Sequence, residues 1–229
     1  MIDASQYNST TSDLGRVKDG TLSWIEDCLK EAQSRSITVL SVTHQNLLPH
    51  NPAFSELYTI ENGQELTALY EKYQVNLNLS GHMHIQNIAS NDSDVNNNLD
   101  DNTLYDCATG SLAVWPNLYA LVELDSTKKV SYTTNSVDYG SDSHQFFYDN
   151  SYKKFYDVLG TLYLPDETKK GMAVYATMLN LDYFSDQLDA VKIEKYKQDL
   201  NYKLWQQKMP ASFETMYIES MLKEEPKKC

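Results

Sequence analysis

The sequence predicts an α/β unit over residues 1–140 followed by a bundle of helices over 141–229, and three patterns carry that prediction. Runs rich in β-branched and apolar residues at 37–43 and 75–79 alternate with helical stripes. Short strands separated by turn residues crowd the stretch 86–137, and from His144 onward the apolar residues recur at helical spacing. At 229 residues the chain is long enough for one or two domains with a proper core.

Taken in order, Met1–Tyr7 is expected as a strand and Asn8–Lys18 as a polar loop. Asp19-Gly20-Thr21 opens a helix running to Ser34, with Leu22, Ile25, Leu29 and Ala32 on one stripe and Asp19 or Thr21 as its cap. The strand at 37–43 completes a βαβ unit, so it should run parallel to the first after a right-handed crossover. His50–Asn62, introduced by Pro49 and broken by Pro52, reads as a loop. Its Phe54 and Tyr58 either pack the loop onto the domain, the ordinary use of such residues, or wall a pocket. Glu65–Tyr73 is helical, with Leu66, Leu69, Tyr70 and Tyr73 inward, and it feeds the apolar strand Val75–Leu79.

Gln86–Ser90 starts an outgoing strand. Asn91–Asn102 is an Asn/Asp tract that offers oxygen ligands for calcium but lacks the glycine and spacing of a helix-loop-helix site, and so reads as a solvated hairpin insertion. Leu104–Ala108, Tyr119–Leu124 and Val130–Val137 are further strands, the last two joined by the turn Asp125–Lys129. As short neighbours they should be antiparallel and finish a second sheet. In the tail, Tyr148, Tyr152, Phe155, Tyr156 and Leu159 form one stripe, and Met172, Tyr175, Met178 and Leu179 a second after Pro165. A third from about Ser185 carries Leu188, Val191, Tyr196, Leu200 and Leu204, and a fourth after Pro210 carries Phe213, Met216, Tyr217 and Met221. Short connections imply antiparallel neighbours in a small bundle.

The chemistry sits where two buried strands end. One ends on His44; the other runs into Gly81-His82-Met83-His84. In extended backbone residues i and i+2 share a face, so His82 and His84 should point into one pocket, with Gly81 allowing a sharp turn or close approach. A lone histidine at a strand end is ordinarily hydrogen-bonded or exposed; two strand ends delivering three imidazoles to one sheet edge point to a metal site. The formal charge of −13, with Arg16 and Arg35 the only arginines, excludes a nucleic-acid polymer as partner. No apolar run approaches the ~20 residues that span a bilayer. Cys28, Cys107 and Cys229 are unpatterned and expected as free thiols.

The strand ending in His44 and the Gly81-His82-Met83-His84 segment resemble the last two motifs of the calcineurin-like metallophosphoesterases. Trp24-Ile25, the segment Thr43-His44-Gln45-Asn46-Leu47-Leu48-Pro49-His50 and the Tyr-rich tail are similar to the bacterial cyclic-nucleotide phosphodiesterase type within that family. The likeness covers about 1–140 well and the tail loosely. The family's first three motifs, Asp-x-His, Gly-Asp-x-x-Asp and Gly-Asn-His-Asp or Glu, do not occur here. The one Asp-x-His, Asp142-Ser143-His144, comes far too late, and the 43 residues before His44 are too few to carry all three. The chain therefore looks like the C-terminal half of a phosphoesterase, a partial α/β/β/α sandwich, plus its helical tail, with Met1 inside a strand.

What the resemblance implies is a site for two divalent transition metals, Mn, Fe, Zn or Co, with His44 and His82 on one ion and His84 on the other. The bridging carboxylate, the Asn ligand and the proton-donating histidine would lie outside this chain, leaving it no catalytic residue of its own, and His50 is a candidate for substrate binding. The implied substrate is a small phosphodiester such as a cyclic nucleotide, with this chain inactive alone. An uncovered apolar face implies a homodimer or the N-terminal half as partner. Localisation is open between cytoplasm and cell surface. Two alternatives stand beside this reading: hydrolysis of another phosphoester (a phosphomonoester, a phospholipid or a cell-wall polymer), and a protein-interaction module whose histidines are vestigial. Gly110-Ser111-Leu112 and Trp115-Pro116-Asn117 resemble a family segment near the active-site rim, with a turn anchored by a packed Trp as the plainer reading; His144 is taken as structural.

Overall fold

β1 (Ser41–Val42), β2 (Leu77–Ser80), β3 (Asn87–Ser90) and β4 (Tyr105–Ala108) form a mixed sheet in the order β1-β2-β4-β3. These are the strands of a computed structural model that describes residues 1–7, 14–91 and 103–223. β1 and β4 both lie parallel to β2, with Val42 opposite Leu79 and Leu79 opposite Cys107, and β3 is antiparallel to β4. This corrects the placement of 104–108 in a second antiparallel sheet. Asp106, Cys107 and Ala108 are all buried, the mark of a central strand covered on both faces, and the only slot that covers them lies between β2 and β3. β5 (Leu118–Leu124) and β6 (Val130–Ser136) make the separate two-stranded sheet. Their turn is held by Asp125 Oδ1, which accepts from the backbone of Thr127 at 2.8 Å and of Lys129 at 3.0 Å.

The first strand is reduced to a bridge. Ile2 pairs in parallel with Thr43, its N–H donating to Val42 O at 2.8 Å. α1 spans Asp19–Ser34 as expected, but its cap position falls on Lys18 and no side chain caps it; Asp19 lies inside the first turn, where its charge favours the positive helix end. The segment expected as a plain loop holds a 3-10 turn at Pro52–Phe54, capped by Asn51 accepting from Ala53 N at 2.8 Å, and a one-turn helix α2 (Ser55–Tyr58). α3 (Gly63–Lys72) packs Leu66 and Tyr70 into a core with Val17, Ile25, Leu29, Leu47, Ile60, Val75 and Leu104. Tyr70 is buried with its hydroxyl 2.5 Å from Ser41 Oγ, and burial pushes its pKa up to about 12. The Asn/Asp tract lies outside the described residues apart from Asn91.

Backbone packing divides the chain into two compact units, the first made of Met1–Thr109 and Ala120–Thr134, the second of Gly110–Tyr119 together with the chain from Asn135 on. The sequence reading set the division at 140/141. In the second unit α4 (Ser141–Leu159) and α5 (Asp166–Phe184) pair along their length, with α6 (Ala190–Gln198), α7 (Leu200–Lys208) and α8 (Phe213–Met221) completing the bundle. α5 buries nine of its 19 residues, all between Met172 and Tyr183, with Val174 and Met178 exposed among them, and it packs against α4, α7 and α8, which marks it as the central helix. The single third helix expected from Ser185 is two. Asp199 takes an extended backbone and its carboxylate caps α7 by accepting from Asn201 N at 2.7 Å, so the phase resets there. Val191 and Leu200 are solvent-facing, and Ile193 and Trp205 take the core positions.

Candidate metal site

His44 and His82 meet. β1 stops at Val42 and β2 at Ser80, so both chains leave the sheet at the same edge, and Gly81 N donates to His44 O at 3.1 Å, tying the two exits together. His44 Nε2 stands 3.4 Å from His82 Nδ1, with ring centroids 5.2 Å apart and the rings near perpendicular at 74°. Two nitrogens bound at about 2.0–2.1 Å to one tetrahedral ion stand about 3.3 Å apart, a spacing close to the 3.4 Å of this contact.

The route by which His82 and His84 arrive is not the one expected. Neither is in extended backbone: both are left-handed, with φ of 62° and 58°, and Met83 N closes a tight turn on Gly81 O at 2.6 Å. The alternation of faces therefore does not govern them. His84 is exposed at this turn. Gly81 is not in a left-handed conformation, and a Cβ built on it would meet only His44 O, at 3.9 Å, so the glycine is not required for space. Among the described residues no group of three or more His, Cys, Asp or Glu side chains is close enough to hold one metal ion.

Tyr58 flanks the pair. Its ring centroid lies 5.2 Å from that of His82, and Phe54 packs edge-on against Tyr58 at 5.0 Å. Tyr58 thus both packs against Phe54 and stands beside His82.

His50, the substrate-binding candidate, is not at this surface. Its side chain is enclosed, with Nδ1 2.9 Å from Asn87 Oδ1 and Nε2 3.3 Å from Asp106 Oδ2. Sequence reasoning did not single out Asp106. It is wholly buried on β4; its Oδ2 accepts from Leu47 N at 2.6 Å and Leu48 N at 2.9 Å, and its Oδ1 accepts from Asn78 Nδ2 at 2.8 Å. Burial raises its pKa, but His50, the Leu48 N–H and Asn78 together outweigh burial and hold the carboxyl below the usual aspartate range. The signal available beforehand was one Asp in an otherwise apolar strand.

In the second unit Trp115 packs against His144 with centroids 5.0 Å apart and against Phe147 at 6.0 Å, so the Gly110–Asn117 segment is a turn anchored by its Trp. Asn117 braces that turn, donating to Leu112 O at 2.9 Å and accepting from Ser143 Oγ at 2.7 Å. Cys28 and Cys107 are free thiols, the former exposed and the latter buried.

The first unit is thus an open mixed sheet with two imidazoles meeting at its edge, and the second is helical. Residues 126–228, a little under half of the chain, match the family model described as the C-terminal domain of cyclic nucleotide phosphodiesterase. The tail is thus similar to the C-terminal domain of such an enzyme, and the match points to a phosphodiesterase-related function. Comparison with curated proteins returned no match.

Proposed function

We propose that this chain is the C-terminal part of a dinuclear-metal phosphodiesterase, in which His44 and His82 hold one metal ion and His84 serves a second. The observation that carries this is the 3.4 Å gap between His44 Nε2 and His82 Nδ1 at a sheet edge, with a phosphodiesterase-type C-terminal domain following in the same chain. Imidazole ligands suit Mn, Fe, Zn or Co. A bound metal pair would polarise the phosphoryl group and supply hydroxide at neutral pH. The chain's own residues do the rest: His44 and His82 present unprotonated nitrogens to the ion, and Tyr58 and Phe54 shield one side of the pair from water. The remaining ligands and the proton donor for the leaving group are assigned to residues outside this chain.

Binding of Zn²⁺ or Co²⁺, followed by calorimetry, tests the reading. One ion per chain is expected at the paired histidines, abolished by His44→Ala and by His82→Ala; a wild-type chain that takes up neither metal overturns it. Against 3′,5′-cyclic AMP with Mn²⁺ the chain alone is expected to show no hydrolysis above background, and a rate near ~1 per second would refute that expectation. One observation favours a second reading, a protein-interaction module. Only two imidazoles converge, with no third ligand among the described residues. Failure to bind metal would select it.

A further inference from the structure

We propose that Asp106 is the positioning residue of the two-histidine site, setting the separation of His44 and His82 through the backbone on either side of them. Its function rests on the metal reading above; its geometry does not. A buried carboxylate is costly unless its acceptor sites are filled, and two of the three donors to Asp106 belong to the segment that carries His44. Leu47 N–H and Leu48 N–H, three and four residues beyond His44, both donate to Oδ2. On the near side, Asn78 Nδ2 donates both to Asp106 Oδ1 at 2.8 Å and to Thr43 Oγ1 at 3.0 Å, and Thr43 Oγ1 donates to Gln45 O at 2.8 Å. His44 is therefore gripped from the residue before it and from the residues after it by one carboxylate.

The same segment is tied to His82. Asn46 Nδ2 donates to Ser80 Oγ at 2.8 Å and, more weakly, to Gly81 O at 3.4 Å, while Gly81 N returns a bond to His44 O. The bonds end on the residues flanking the two imidazoles, where a purely stabilising network would have no reason to converge. His50 stands beside this network: Asn87 Oδ1 accepts from Nδ1 at 2.9 Å, and Nε2 lies 3.3 Å from Asp106 Oδ2, the carboxylate itself accepting from three donors, Leu47 N–H, Leu48 N–H and Asn78 Nδ2–H.

Three variants and two readouts decide it. Asp106→Asn keeps the shape but weakens the grip; Thr43→Val removes only the near arm; Leu66→Val loosens the core without touching the network. In the metal-free chain, imidazole nitrogen shifts by NMR report the His44–His82 contact directly. Both rings should lose their mutual shift perturbation in Asp106→Asn and keep it in Leu66→Val, with His144 unchanged in each. Co²⁺ titration should show affinity falling about 10–100-fold in Asp106→Asn with an altered visible spectrum, and a smaller loss of the same kind in Thr43→Val. Leu66→Val should bind as wild type. Unchanged imidazole shifts in Asp106→Asn overturn the proposal. Should that variant not fold, unchanged shifts and Co²⁺ affinity in Thr43→Val overturn it instead. A wild type that binds no Co²⁺ yet shows the coupled shifts, lost in Asp106→Asn, sinks the metal reading and leaves the positioning role standing.

Discussion

His82 and His84 sit in a backbone conformation that costs an L residue about 1–2 kcal/mol, and two such residues within three positions are held there by the turn on Gly81. His84→Gly should relieve part of that strain. Set against glycine's greater chain entropy, the net expectation is a gain of about 0.5–1 kcal/mol in thermal unfolding, with the imidazole lost. Gly81→Ala, by contrast, meets open space and should change stability by no more than about 0.5 kcal/mol. Asp106 gives a pH dependence of known sign. Its carboxyl is held below the ordinary value of 3.8, so the unfolded chain binds more protons than the folded one in that range. The stability it contributes is complete above the ordinary aspartate range and is lost as pH falls through its lowered folded value. Urea midpoints measured from pH 6 downward should fall on acidification, and Asp106→Asn should flatten that fall. The residue types at 44, 82 and 84 were legible in the sequence; the role of Asp106 was not, because its partners are backbone groups 58 and 59 residues away and no spacing rule reaches them.

At the scale of elements, helix periodicity located α1, α4, α5 and α8 well and failed where one side chain interrupted a run. Asp199 splits what reads as one amphipathic stretch, and every apolar position after it shifts phase. Asp199→Ala removes the cap of α7 and should cost about 1 kcal/mol by chemical denaturation. Trp205, wholly buried, donates from Nε1 to Met172 O at 3.0 Å and packs against Phe155, so Trp205→Ala should cost about 3–5 kcal/mol by the same measurement. β4 teaches the complementary lesson. Its sequence has the length and composition of a hairpin strand, and only its burial on both faces sends it between β2 and β3, where Asp106 reaches the His44 segment.

For the whole molecule, no described helix is long and apolar enough to cross a membrane, and the formal charge is −13. By itself the sequence determined the mixed α/β and helical composition, the helix stripes and which histidines end the strands, because these follow from local periodicity and residue type. Only the tertiary structure decided which imidazoles meet, that β4 is central, and that a buried carboxylate on it bonds to the segment carrying His44, because each depends on strand order, and strand order is set by long-range burial that no window of sequence contains.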